Sequence, residues 1–163
     1  MVDVTAVQQA TGATLTESSF RDNRRWVVDA GHLVPVLTAL RDEYGFDMLV
    51  DITAVDYLEA DDAADRYGVV YPLLNTETGE RLIVKTFVND PDPELPTVTT
   101  LWRGADWMER EVYDMFGIRF TGHPDPRRIL MPDEFTDFPL RKDYPLKGRG
   151  ERHNFPVITR AES

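Results

Sequence analysis

Apolar residues recur along the chain with two different periods, and the switches between them outline the elements. Val4 and Val7, closed by Gly12, suit a short first helix. Arg25-Trp26-Val27-Val28 reads as a strand. Leu33, Val36, Leu37, Leu40 and Tyr44 then repeat at helical spacing, with Pro35 in the first turn and Gly45 just past the end. Residues 46–53 predict a strand running on into Asp51-Ile52-Thr53-Ala54-Val55-Asp56, and residues 59–65 form an acidic break. Tyr67 to Leu74 and Arg81 to Val88 are β-rich runs, and the turn chemistry of Thr76-Glu77-Thr78-Gly79 joins them as a hairpin. The proline-rich stretch 91–96 is expected to be a loop outside helix and sheet. A helix is predicted from Ala105 to Phe116, with Ala105, Met108, Val112, Met115 and Phe116 on its buried face and Gly117 as its stop. The order of elements implies an α+β fold, a mostly antiparallel sheet with helices packed on one face.

After Gly122 the periodicity stops. Prolines at 124, 126, 132, 139, 145 and 156 leave little room for long helices or central strands. The expected layout is a core domain over residues 1–121 and an irregular extended C-terminal tail over 122–163. Such a tail buries its apolar residues against its own domain or by wrapping a partner.

Charge follows the same division. Residues 1–121 carry ten Lys/Arg against 22 Asp/Glu, and residues 122–163 carry eight against seven. A body this acidic is a poor match for a phosphate backbone, so nucleic acid is not an expected partner. The tail interleaves Arg141, Lys142, Lys147, Arg149, Arg152 and Arg160 with Phe138, Tyr144 and Phe155, a composition typical of protein interfaces. The chain has no cysteine, which excludes disulfides and thiolate-held zinc or iron–sulfur clusters. No apolar run approaches the roughly 20 residues that span a bilayer. The acidic N-terminus lacks the features of a signal or transit peptide, so the chain is expected to be made and kept in the cytosol.

Few residues offer reactive chemistry. Glu109 and Glu111 are two apart on a helix and point in different directions, so they cannot share one substrate proton. Arg110 and Asp114 at i,i+4, with Glu111 and Asp114 at i,i+3, suggest a charged helix face that also clamps the following loop. His123-Pro124-Asp125 matches a J-domain tripeptide, but no basic helix precedes it and prolines follow; a turn histidine bonded to a nearby carboxylate or carbonyl is expected instead. The three histidines, at 32, 123 and 153, are far apart and lack metal-ligand spacing. Neither nucleotide-binding glycine motif is present, and Ser18, Ser19 and Ser163 sit in no nucleophile elbow.

The run Glu109-Arg110-Glu111-Val112-Tyr113-Asp114-Met115-Phe116-Gly117-Ile118 leads into Gly122-His123-Pro124-Asp125-Pro126-Arg127-Arg128-Ile129-Leu130 and Pro139-Leu140-Arg141-Lys142-Asp143-Tyr144-Pro145-Leu146. Together with Asp51 to Asp56 and the hairpin runs, in this order, the string resembles the 30 kDa subunit family of respiratory complex I, the C-type subunit of bacterial NADH-quinone oxidoreductase. The likeness covers residues from about 46 to 156. It implies a structural subunit with no cofactor of its own, in the peripheral arm of a proton-translocating NADH:quinone oxidoreductase. FMN and iron–sulfur clusters would reside in partner subunits. The expected neighbour is the 49 kDa subunit, the D-type subunit in bacteria, whose pocket handles quinone. The chain would sit on the cytoplasmic side of the bacterial cell membrane and reach it only through the complex. The residues expected to serve the subunit interface are Glu109, Arg110, Glu111, Tyr113, Asp114, Phe116, Gly117, His123, Asp125, Arg127, Arg128, Leu130, Pro139, Arg141, Lys142, Asp143 and Tyr144. Two other readings remain open: the equivalent subunit of a membrane-bound hydrogenase or ferredoxin-driven dehydrogenase, and a stand-alone hydrolase using His123 and Asp125.

Overall fold

The computed structural model describes residues 1–61, 63 and 65–150. Three helices, α1 (Val4–Thr11), α2 (Leu33–Asp42) and α3 (Ala105–Phe116), accompany eight strands. These are β1 (Leu15–Phe20), β2 (Asn23–Val28), β3 (Met48–Leu49), β4 (Thr53–Asp56), β5 (Tyr67–Leu74), β6 (Arg81–Val88), β7 (Glu94–Pro96) and β8 (Arg119–Thr121). The main sheet has the order β1-β2-β6-β5, with β3 and β4 both pairing with the far side of β5. All its pairs are antiparallel except β2 with β6. This is the expected α+β class.

The hairpin β5–β6 is the spine of the sheet, in register from Tyr67 opposite Val88 to Leu74 opposite Arg81. Its turn is set by Asn75, whose side-chain oxygen accepts from the Glu77 and Thr78 N–H groups. Side chains alternate across a strand. Tyr67, Val69, Tyr71 and Leu73 of β5 therefore join Leu82 and Val84 of β6 and Trp26 and Val28 of β2 in one core. Leu33, Val36, Leu37 and Leu40 of α2 and Ala105, Val112, Met115 and Phe116 of α3 close that core from the helical side.

The structure corrects the sequence reading at several points. A polar strand, β1, precedes β2 and pairs with it from Leu15 opposite Val28 to Phe20 opposite Asn23. Its burial falls on Leu15 alone, so no apolar alternation announces it. The strand expected over 46–53 is two short pieces, β3 and β4, both on β5. The stretch 91–96 is not wholly loop: β7 pairs in parallel with β8, Leu95 opposite Phe120. Two prolines are tolerated there because the little sheet has two strands and therefore only edges.

The segment after Gly122 has no regular element, but over its described part it lies on the chain's own domain. The Leu140 N–H donates to the Met115 carbonyl (3.1 Å), the Lys142 N–H to the Asp56 carboxylate (2.9 Å), and Phe135 is buried. Arg152, Phe155 and Arg160, part of the expected basic tail, lie outside the described residues.

Candidate functional site

The residues singled out by the sequence converge on the outer side of α3, where residues 123–144 fold back over the helix. Ala105, Glu109, Val112 and Phe116 share the inward stripe of α3 because they fall at i, i+4, i+7 and i+11. Glu109 is thus a fully buried carboxylate in an otherwise apolar row. It accepts from the Val98 N–H at 2.7 Å and from the Thr97 hydroxyl at 2.6 Å. Burial pushes its carboxyl above the usual range, and those two bonds hold the rise in check.

Asp114 is also fully buried, and this overturns the intrahelical pairs expected with Arg110 and Glu111. One of its oxygens accepts from the Arg128 guanidinium at 2.7 Å. The other accepts from the N–H groups of Ile129, Leu130 and Met131 at 3.1, 2.7 and 2.8 Å. Burial alone would raise this carboxyl, but the backbone N–H groups and Arg128 outweigh it and leave it below the usual aspartate range. Arg110 reaches the same loop from the helix, donating to the Arg127 and Arg128 carbonyls at 2.9 and 3.1 Å. The expected clamp on the following loop is present, built from an acceptor and a donor used separately. Glu111 is exposed.

The C-terminus of α3 is closed by the same segment. Gly117 ends the helix at φ +76°, and a Cβ there would fall 2.5 Å from the Arg141 guanidinium and 2.6 Å from the Phe138 ring. Arg141 donates to the Phe116 carbonyl at 2.6 Å and stacks on Phe138 and Tyr67. Tyr113 meets Phe138 edge-on, as Tyr144 meets Phe135. Pro139 is half-buried, whereas Leu130 and Lys142 are exposed.

A second hub was not read from the sequence. Arg66 pairs with the buried Asp56 at 3.0 Å, with Asp143 at 3.0 Å and with Asp90. Asp56 also accepts from the Leu58 and Lys142 N–H groups. Burial pulls its carboxyl upward, yet Arg66 and these N–H groups hold it below the usual range. Arg66 stands at the end of an acidic break, next to a strand and far in sequence from its partners, so no local pattern marks it.

His123 behaves as the expected turn histidine. Its Nδ1 accepts from the Asp125 N–H at 3.0 Å, which fixes the proton on Nε2, and Nε2–H donates to the Asp106 carbonyl at 3.1 Å. The Asp125 carboxylate is taken by Arg127, with two contacts of 2.7 Å that hold its pKa down to about 2. A hydrolytic dyad needs the aspartate oxygen on the Nδ1 proton. Here the aspartate meets the ring through its backbone instead, so the pair is not assembled as a base. A cleft of about 330 Å³ lies beside them, lined by Glu94, Glu109, Arg110, Tyr113, Arg119 and His123 among others. Among the described residues, no three His, Asp or Glu side chains gather in a metal-holding group, and no helix is long and apolar enough to cross a membrane.

Comparison with known proteins gives a consistent result. The family described as "Respiratory-chain NADH dehydrogenase, 30 Kd subunit" matches residues 26–150. The chain is 47% identical over 132 residues to the NADH-quinone oxidoreductase C-type subunit of Trichlorobacter lovleyi, covering 80% of each chain. It is 50% identical over 108 residues to NADH-quinone oxidoreductase subunit 5 of Thermus thermophilus, covering 63% of this chain and 52% of that one. Among solved structures, a trypsin-resistant fragment of Nqo5 superposes with a TM-score of 0.64 at 38% identity, over 75% of this chain and 96% of that one. A chain of an archaeal respiratory membrane complex, the membrane-bound sulfane sulfur reductase, superposes with a TM-score of 0.70 at 26% identity, over 96% and 91%.

Proposed function

The chain belongs to the family of the 30 kDa subunit of respiratory-chain NADH dehydrogenase, and from that membership we propose that it is a structural, cofactor-free subunit of the peripheral arm of NADH:quinone oxidoreductase. It docks on the 49 kDa subunit through the surface that residues 109–144 build around α3. Glu111, Arg127, Leu130, Lys142 and Asp143 face outward on that surface, while Glu109, Asp114, Phe116, Gly117, Arg128 and Arg141 fix its shape from within. FMN and iron–sulfur clusters sit in partner subunits and carry electrons from NADH to quinone, coupled to proton translocation. The protein lies on the cytoplasmic side of the cell membrane, held there by the complex.

One observation carries this reading. The polar residues richest in potential chemistry are consumed by internal bonds: Asp114 with residues 128–131, His123 with Asp106 and Asp125, and Asp125 with Arg127. Groups so committed shape a surface and are not poised to react with a substrate.

Purification of the enzyme from membranes through a tag on this chain tests the proposal. Mass spectrometry is expected to find the 49 kDa subunit in equal amount, together with the subunits that accept electrons from NADH. A chain that purifies alone, or turns over a substrate alone, overturns it. The similarity to the sulfane sulfur reductase chain favours a second reading, the equivalent subunit of a related membrane-bound respiratory complex. Recovery of the 49 kDa subunit with a different electron-input module would establish that one instead.

A further inference from the structure

All three helices and the C-terminal segment pack on one face of the main sheet, and the register defines what the opposite face carries. Opposite Trp26, Val84 and Tyr71 in the alternation stand Val27, Ile83, Lys85, Val70 and Pro72. The pairing extends this row to Phe20 and Arg25 on one side and to Leu74, Met48, Thr53 and Val55 on the other. None of these residues is buried, although most are apolar; Phe20, Met48 and Val55 are 58, 45 and 39% exposed. A one-sided antiparallel sheet in water ordinarily alternates apolar inside with polar outside. β5 and β6 do not: both of their faces are dominated by apolar side chains.

The ionisable groups at strand positions on this face are Arg25, Arg81 and Lys85, all cationic, in a chain of net charge −11. Lys85 lies flat across the sheet, its Nζ 4.5 and 4.7 Å from the ring centres of Tyr57 and Phe87. Five strand columns at about 4.8 Å spacing and central strands of eight residues give a footprint of roughly 20 by 27 Å. That is most of one partner's share, about 800 Å², of a standard interface.

We propose that this open sheet face seats a partner subunit that presents an apolar surface bordered by carboxylates. The inference rests on the chain's place in a multisubunit enzyme and names a second docking surface, on the opposite side of the sheet from α3. Apolar contact supplies the attraction, and the three cations select acidic borders and repel basic ones. A second copy of this acidic chain and an anionic lipid surface are the competing occupants.

Hydroxyl-radical footprinting of the free chain and of the enzyme purified through it tests the proposal. Phe20, Met48 and Phe87 are expected to be labelled freely in the free chain and at least tenfold more slowly in the enzyme. An Arg25→Glu/Arg81→Glu double variant is expected to enter the enzyme at least tenfold less efficiently at an unchanged thermal midpoint. Equal labelling in both states overturns this inference and leaves the family role intact; a wild-type chain that enters no enzyme overturns both. Protection by dimerisation of the free chain, or by vesicles containing phosphatidylglycerol, overturns it in favour of a self-interface or a lipid surface. Should the double variant fail to fold, the footprint of the wild-type chain alone decides.

Discussion

The Asp114 carboxylate stands 2.7 Å from the Arg128 guanidinium, and its second oxygen gathers three consecutive N–H groups from residues 129–131. A buried side chain on α3 thereby does for an irregular loop what a neighbouring strand does for a strand: it satisfies its backbone donors. Asp114→Ala removes that acceptor and strands the Arg128 charge. The expected loss is about 3–5 kcal/mol, the range for breaking a buried pair. Asp114→Asn keeps one acceptor and is expected to lose about 1–3 kcal/mol. Urea denaturation distinguishes the two; a loss below about 1 kcal/mol for the alanine variant would show that the bonds form equally well to water.

Glu109 and Asp114 respond to acid in opposite senses. Asp114 is held below its ordinary value of 3.8 in the fold, as is Asp56, so their contribution is complete above about 3.8 and is lost as the pH falls through their lower folded values. Glu109 is raised above 4.5 by burial, so its contribution is complete below about 4.5 and is lost as the pH rises through its folded value. Glu109→Gln is therefore expected to match or exceed the wild-type stability at pH 7. Its advantage should shrink on acidification to pH 4. Paired denaturation curves at the two pH values check the sign.

Gly12 and Gly117 end α1 and α3 in the same left-handed conformation, at φ +70° and +76°. A Cβ at residue 12 meets nothing within 4 Å, whereas at residue 117 it meets Arg141 and Phe138. Gly12→Ala is expected to cost about 1–2 kcal/mol from backbone conformation alone. Gly117→Ala adds overpacking of about 1–3 kcal/mol. Thermal midpoints of the two variants give the comparison; equal shifts would mean that the ring and guanidinium move aside freely.

Amide exchange in the free chain reports on the fold-back. The Leu140 and Lys142 N–H groups donate to Met115 and Asp56 and are expected to exchange slowly without any partner subunit. A chain ending at Leu130 loses Phe135, Phe138 and Arg141 from their sites on α3. It is expected to unfold at clearly lower urea, since removal of a buried aromatic alone costs about 3–5 kcal/mol. Unprotected amides at 140 and 142 would show that this segment orders only on assembly.

Strong apolar periodicity made α2, α3 and the β5–β6 hairpin legible from residue order alone. β1 was illegible because Leu-Thr-Glu-Ser-Ser-Phe buries one residue and takes its strand form from β2. β7 and β8 were illegible because each is three residues long and exists through a partner 25 positions away. The burial of Glu109 did leave a trace, since it interrupts the stripe of Ala105, Val112 and Phe116 at helical spacing. Asp114 left none: its partners come from a segment without periodicity, and charge spacing along α3 pointed to Arg110 instead. The family signature located the right stretch of chain, while its division into inward and outward residues depended on the fold-back.

Asp56 and the Lys142 N–H that reaches it are 86 residues apart, and Asp114 waits for residues 128–131. On a ribosome, which releases the chain from its N-terminus, both carboxylates emerge well before the groups that satisfy them. A chain stalled near residue 125 has its sheet and helices but leaves two anions and the end of α3 uncovered. The outer surface around α3 is finished only when the last fifth of the chain has been made. Chaperones and proteases can therefore tell a truncated product from a complete one before any neighbouring subunit is encountered.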